Sequence, residues 1–243
     1  MNDVFRRLCE SAPHLSVSIA SADPLHLHDE LETLAAAGVQ MIHVDVMDGL
    51  FCPPATTAAP SLARAISPDF IVDVHLMVDD PLLHVQAWAD AGAGIVTFQV
   101  ETARHPHRVL QSMTDSKIVR GVALTPSSPV SLVEPLIDEL ELVLLLAVNP
   151  GWSGQRFLPG TTARLLEVRE LIGDREVLLG VDGAIGRDGL AAQLTEAGLD
   201  LIVSGSAVFD GDPLANAQTM LKQMRKRPAP RSMTPPQRRQ TRR

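Results

Sequence analysis

The chain is short of sulfur, of long apolar runs and, over most of its length, of positive charge. Two cysteines among 243 residues, Cys9 and Cys52, cannot make a disulfide framework. That argues for a reducing compartment, the cytoplasm. No apolar stretch approaches the roughly 20 residues needed to cross a bilayer. Residues 1–12 hold no long apolar segment, so they do not read as a secretory signal. No Gly-x-Gly-x-x-Gly turn follows the first strand-like run, which counts against a doubly wound open sheet. Nine of the 21 Lys and Arg residues fall in 222–243, where no acidic residue occurs. Residues 1–221 therefore carry 12 basic against 29 acidic side chains, a charge of −17 hidden inside a total of −8. An acidic body of this kind is a poor generic nucleic-acid binder.

What is present is a strongly patterned apolar chain. An apolar fraction of 45% excludes general disorder. Eight short runs, at 15–19, 41–46, 70–76, 95–100, 118–124, 142–148, 177–181 and 201–203, read as strands. They are apolar on both faces, as parallel strands covered on both sides are. Helical patterns lie between them. Asp23-Pro24 and Asp80-Pro81 read as caps with Pro at the first helical position. Leu27, Leu31, Leu34 and Ala35 share one helical face, as do Leu190, Leu194 and Ala197. A helix after Pro126 is the weakest, because that stretch is rich in Pro. Ala37-Gly38, Ala91-Gly92 and Ala197-Gly198 each stand just before a strand, with the glycines 54 and 106 residues apart. Those spacings are about two and four units of roughly 27 residues, a reasonable length for a strand–helix unit. Eight alternations predict an α/β protein, a single (β/α)8 TIM barrel spanning 1–223. Residues 224–243 read as a disordered basic tail rich in Pro and Arg. A solvated segment is expected there, not a nucleic-acid contact.

In such a barrel, chemistry sits at the C-terminal ends of the strands. His43 and Asp45 lie two apart in Ile42-His43-Val44-Asp45-Val46-Met47, so both point to one face. Asp73 and His75 repeat the arrangement in Val72-Asp73-Val74-His75-Leu76-Met77, and Asp182 ends a further apolar run. Buried carboxylates and imidazoles need partners. His43, Asp45, His75 and Asp182 together form a reasonable divalent-metal site, with nitrogen and oxygen donors suited to Zn, Fe, Mn or Co. Asp73 lies deeper and reads as a partner behind those ligands. Three Gly-containing loops, at 149–155, 182–185 and 204–207, follow late strands and could hold a phosphate on backbone N–H groups. They contain no Lys or Arg.

At these residues the chain resembles the ribulose-phosphate 3-epimerase family. The resemblance spans 15–212. It rests on Ser16-Val17-Ser18-Ile19-Ala20-Ser21-Ala22-Asp23, His43-Val44-Asp45-Val46-Met47-Asp48-Gly49 and Asp73-Val74-His75-Leu76-Met77. The later blocks are Val148-Asn149-Pro150-Gly151, Val181-Asp182-Gly183 and Ser204-Gly205-Ser206-Ala207-Val208-Phe209. The resemblance implies an isomerase of the pentose phosphate pathway, converting D-ribulose 5-phosphate to D-xylulose 5-phosphate through a metal-stabilised enediolate. It implies one divalent ion on His43, Asp45, His75 and Asp182, with Asp45 and Asp182 as the acid/base pair. It puts Ser18, His75, Met47 and Met77 against the substrate. Gly151, Trp152, Ser153, Gly154, Gly183, Ala184, Gly205 and Ser206 fall in the phosphate-binding stretches. It further implies a homo-oligomer, with a phosphosugar as the small-molecule partner.

The chain departs from the family pattern around the substrate. Leu50-Phe51-Cys52-Pro53-Pro54-Ala55-Thr56-Thr57-Ala58 replaces a usual His-Phe-Val-Pro-Asn-Ile-Thr-Phe-Gly. Gln99 stands where a His is usual, Leu146 and Ala147 where Met and Ser or Thr are, and Ala184 where Gly is. Trp152-Ser153-Gly154 replaces Phe-Gly-Gly; Trp152 either caps a ligand or packs on the barrel mouth. Cys52 reads as a small semi-buried residue. Two alternatives stay open: an epimerase for another ketose phosphate, such as allulose 6-phosphate or a tetrulose phosphate, and a non-catalytic phosphosugar-binding barrel.

Overall fold

The computed structural model describes residues 2–56 and 58–224. Eight strands lie where the apolar runs predict them, with ends shifted by a residue or two. They are β1 (His14–Ser18), β2 (Met41–Met47), β3 (Ile71–Met77), β4 (Ile95–Gln99), β5 (Val119–Leu124), β6 (Leu142–Leu146), β7 (Leu178–Asp182) and β8 (Leu201–Ser204). All neighbours are parallel, and the strands close into a barrel in chain order, with β8 pairing β1. Closure leaves no strand edge exposed, so every strand is covered on one face by helices and on the other by the barrel interior.

The helices are α1 (Asp3–Ser11), α2 (Leu27–Ala37), α3 (Pro60–Ile66), α4 (Val85–Asp90), α5 (Pro106–Ser112), α6 (Gly160–Ile172), α7 (Leu190–Glu196), α8 (Ser206–Phe209) and α9 (Pro213–Gln223). No helix among the described residues is long and apolar enough to cross a membrane. The outer core lies between these helices and the outward strand residues, among them Val17, Ile42, Val44, Val72, Val74, Phe98 and Ile202.

The recurring Ala-Gly pairs do end helices. Gly38, Gly92 and Gly198 have φ of 90°, 94° and 104°, the left-handed region that costs a residue with a Cβ. Gly38 N–H donates to Ala35 O while Val39 N–H reaches back to Leu34 O. Ala93 N–H to Trp88 O and Leu199 N–H to Leu194 O repeat that second bond after Gly92 and Gly198. The same cap closes three helices, and each time the chain is turned directly into the next strand.

Three local expectations need correction. Asp23 caps a turn, accepting from Leu25 N–H at 2.9 Å, and α2 begins later, at Leu27. Asp80 accepts from Leu82 N–H at 3.1 Å and starts the short 3₁₀ turn Pro81–Leu83, which leads into α4. After β5 two 3₁₀ turns, Val130–Leu132 and Glu134–Leu136, stand in place of an α-helix. Pro135 removes an N–H donor that an α-helix continuing from Val130 would need.

The first helix, α1, has no counterpart in the sequence reading. It lays Phe5 and Leu8 across the N-terminal end of the barrel, onto Met41, Ile95, Val119, Leu142, Leu178 and Leu201. Burying each of these two side chains stabilises the fold by about 1.5–3 kcal/mol. The barrel is thereby plugged at one end and open at the other. The basic tail expected to be disordered falls, from residue 225 on, outside the described residues.

Candidate active site

Period-two alternation turns His43, Asp45 and Met47 of β2 to the barrel interior, together with Asp73, His75 and Met77 of β3. The β2–β3 register sets Asp45 beside His75 and His43 beside Asp73. Asp182 joins them from the end of β7. One donor atom from each of His43, Asp45, His75 and Asp182 lies within 4.8 Å of the other three. Asp45 Oδ1 stands 3.2 Å from His43 Nε2 and 3.4 Å from His75 Nδ1. Asp182 Oδ2 stands 3.6 Å from His75 Nδ1. Both imidazoles are fully buried, whereas the carboxylates retain some access from the open end.

Behind this cluster the partners are specific. Asp73 Oδ2 faces His43 Nδ1 at 2.8 Å and accepts from Ser16 Oγ at 2.9 Å. That leaves His43 Nε2 directed at Asp45, so Asp73 holds the ring from behind, where its place in the strand predicts. Ser18 Oγ donates to Asp45 Oδ2 at 2.8 Å. Thr56 Oγ1 bridges the end of β2, donating to Asp45 O at 3.1 Å and accepting from Met47 N–H at 3.0 Å. The altered 50–58 segment thus steadies the strand that carries Asp45.

The charges are interlocked. Burial opposes the charged form of His43, but Asp73 and Asp45 raise its pKa well above the ordinary imidazole value. Burial would likewise raise the Asp45 carboxyl; His43 and His75 instead hold it far below the usual carboxylate range. His75 is raised against its burial by the nearby carboxylates of Asp182 and Asp45. Carboxylates that draw protons onto two rings will also draw a divalent cation in their place. His75 Nδ1 is buried, makes no hydrogen bond and faces two carboxylates. The donor set therefore fits a divalent metal ion: two nitrogens and two oxygens, one nitrogen orphaned without it.

Above the cluster is an open cavity of about 1000 Å³. Ser18, Asp45, Met47, Met77, Asp182, Gly151, Trp152, Ser153, Gly154, Gly183, Ala184, Gly205 and Ser206 all line it. His43 and His75 are buried in the wall below. Trp152 is 57% exposed, so it stands over the mouth without packing against it. Gly151 comes against the loop after β2 so closely that a Cβ there would lie 2.2 Å from Pro53 O. Ala184 has φ 55°, a left-handed conformation that favours Gly.

Several lining residues carry no role in the sequence reading. Gln155 ties the 149–155 loop together: its Oε1 accepts from Asn149 N–H at 3.1 Å, and its Nε2 donates to Trp152 O at 2.9 Å. Its position inside a quoted loop was the available signal. Arg187 is the one basic side chain among the described lining residues. It donates to Asn216 Oδ1 and stands 3.5 Å from Asp210 Oδ2. Arg187 lies just beyond the Gly-containing loop 182–185, and only the fold brings it to the cavity.

Comparison with known proteins agrees with this geometry. The family model described as "Ribulose-phosphate 3 epimerase family" matches residues 14–209. A ribulose-phosphate 3-epimerase of Bacillus subtilis is 39% identical over 197 residues, covering 79% of this chain and 90% of its own. One of Escherichia coli K12 is 36% identical over 201 residues, covering 81% and 88%. Among solved structures, 3-hexulose-6-phosphate synthase of Salmonella typhimurium superposes with a TM-score of 0.66 at 16% identity, covering 86% of this chain and 97% of its own. Mycobacterium tuberculosis tryptophan synthase also reaches 0.66, at 17% identity, covering 91% and 96%. These two likenesses concern the fold.

Proposed function

Because the chain belongs to the ribulose-phosphate 3-epimerase family, we propose that its barrel mouth inverts carbon 3 of D-ribulose 5-phosphate to give D-xylulose 5-phosphate. It is an isomerase acting on a carbohydrate. The observation that carries the reading is the convergence of two carboxylates, Asp45 and Asp182, on one four-donor cluster at the floor of a cavity of about 1000 Å³.

The reaction requires removal of a weakly acidic proton beside a carbonyl and its return to the other face. Asp45 and Asp182 come from β2 and β7, so they reach a bound substrate from different sides. One accepts the carbon 3 proton while the other supplies a proton to the opposite face of the planar enediolate. Ionised carboxylates suit the accepting role, and the neighbouring imidazoles keep Asp45 in that form. Ser18, donating to Asp45 Oδ2, fixes the carboxylate's orientation. A divalent ion held by His43, Asp45, His75 and Asp182 would neutralise the negative charge that develops on the substrate oxygens. Met47 and Met77 give the substrate an apolar wall. Main-chain N–H groups at 151–154, 183–184 and 205–206 would hold the phosphate, with Arg187 as a nearby cation.

The test is a panel of ketose phosphates incubated in deuterium oxide with the metal-loaded protein. Ribulose 5-phosphate should exchange its carbon 3 proton and epimerise. Turnover of another ketose phosphate with negligible turnover of ribulose 5-phosphate would reassign the substrate. No exchange on any ketose phosphate would leave a binding barrel. Elemental analysis of the same sample reads whether the ion is Zn, Fe, Mn or Co. Light scattering reads the expected homo-oligomer.

A further inference from the structure

Gln99 is fully buried at the end of β4, beside the cluster but not part of it. With Oε1 turned to His75, that oxygen accepts from His75 Nε2 at 3.1 Å. The amide nitrogen then donates to Glu101 Oε2 at 2.8 Å and to Ala123 O at 3.3 Å. The reverse orientation would set the amide oxygen against two acceptors, so the surrounding groups select this one. Glu101 in turn accepts from Thr125 N–H at 2.7 Å, which anchors the amide to the loop just after β5.

We propose that Gln99 is a positioning residue that holds His75 as its Nε2–H tautomer and so makes Nδ1 the ligand atom. The proposal rests on reading the four-residue cluster as a cation site. A neutral imidazole has one donor and one acceptor nitrogen. Once Nε2–H is spent on Gln99, the lone pair lies on Nδ1, the atom facing Asp45 and Asp182. His43 is held the other way round, with Nδ1 against Asp73 and Nε2 toward the cluster. One ring is therefore backed by a carboxylate and the other by a neutral amide. Since both amide hydrogens are engaged elsewhere, Gln99 can only accept from the ring. A histidine at 99, which the family resemblance leads one to expect, could present either a donor or an acceptor nitrogen.

The experiment uses the full chain loaded with zinc. Long-range nitrogen–proton correlation spectra should show His75 protonated at Nε2 and coordinated through Nδ1, and His43 the reverse. Gln99→Met keeps the volume but loses the amide. It should weaken zinc affinity about 10–100-fold in chelator competition, a readout separate from turnover. Gln99→Glu keeps an acceptor oxygen and should retain the Nε2–H tautomer. A wild-type His75 protonated at Nδ1 overturns the proposal. So does a folded Gln99→Met protein with unchanged zinc affinity and tautomer. If the wild type takes up no divalent ion, the cation-site reading fails by itself. Spectra of the metal-free protein, at a pH where the ring is neutral, then decide the tautomer independently.

Discussion

The barrel interior has two unlike halves. Strands β1–β4 turn Ser16, Ser18, His43, Asp45, Asp73, His75, Thr97 and Gln99 inward, most of them fully buried. Strands β5–β8 turn in Gly121, Ala123, Leu142, Leu144, Leu146, Leu178, Gly180, Leu201 and Val203, with Asp182 as the exception. The polar half works through side chains that mostly hydrogen-bond across neighbouring strands, as Ser18 does with Asp45, His43 with Asp73 and Gln99 with His75; Thr97 Oγ1 has no such partner. The apolar half meets the cavity through its loops at 149–155, 182–185 and 204–207. Its small residues are tightly met: a Cβ on Gly121 would lie 2.2 Å from Thr97 Oγ1, and one on Gly180 2.9 Å from Leu144 Cδ1. Under the proposed function, proton and cation chemistry falls mainly on one side, with Asp182 added from the other, and the anion cradle lies among the loops of the apolar half.

The sharpest way to break that division is to remove its exception. Asp182→Asn leaves β5–β8 without an ionisable inward side chain. We expect kcat to fall at least about 10²–10⁴-fold, the usual worth of a positioned acid or base. Deuterium wash-in at carbon 3 should persist longer from one epimer than from the other. Next, Asp73→Leu cuts the deepest buried ion pair of the polar half, Asp73 with His43 at 2.8 Å. The expected cost is about 3–5 kcal/mol, read by urea denaturation. Stripping the divalent ion should come third. Relative to protein with free ion at about 100 times its Kd, stability should drop by about 2.7 kcal/mol, seen as a lower Tm restored on adding the ion.

The loop side should respond more weakly. Ala184→Gly relieves a left-handed residue, φ 55°, but gains chain entropy in the unfolded state. The net stabilisation should be below about 1 kcal/mol, a Tm rise of at most about 2–4 °C. The smallest expected effect concerns the thiols. Burial, reinforced by Asp48 and Asp45, pushes Cys52 up to about 11, and burial with neighbouring acids, Glu176 foremost, pushes Cys9 up to about 12. Neither should alkylate at pH 8 at the rate seen in urea. Because the folded pKa values lie above the ordinary thiol value of 9.0, the unfolded chain loses its protons first. This stabilisation is complete below pH 9 and is lost as pH rises toward 11–12. A titration of Tm across that window checks the sign.

The strands and the four cluster residues were legible because they break or keep a simple rule. Parallel strands buried on both faces are continuously apolar, so His43, Asp45, His75 and Asp182 stand out as exceptions at strand ends. The glycines at 38, 92 and 198 were legible because a left-handed cap leaves one favoured residue type. Other features left no such local trace. The plug α1 is amphipathic, but nothing nearby says that its apolar face covers a barrel end. After β5, Pro135 breaks a stretch whose apolar pattern otherwise suits a helix, leaving two 3₁₀ turns. Arg187 belongs to no Gly loop, and Gln99 read as a mere departure from pattern.

By itself the sequence determined the periodicity: eight apolar runs, their polar exceptions, and the glycines that end the helices. These follow from local geometry, since a period of two or 3.6 and a φ above zero are properties of a few consecutive residues. The tertiary structure alone decided which polar exceptions meet and which atoms they use. Closure of β8 on β1 and the Asp45–His75 register are set by pairing across the chain. So is the choice of Nε2 on His43 and Nδ1 on His75, because a ring shows its acceptor nitrogen only after another group, Asp73 or Gln99, has engaged the other.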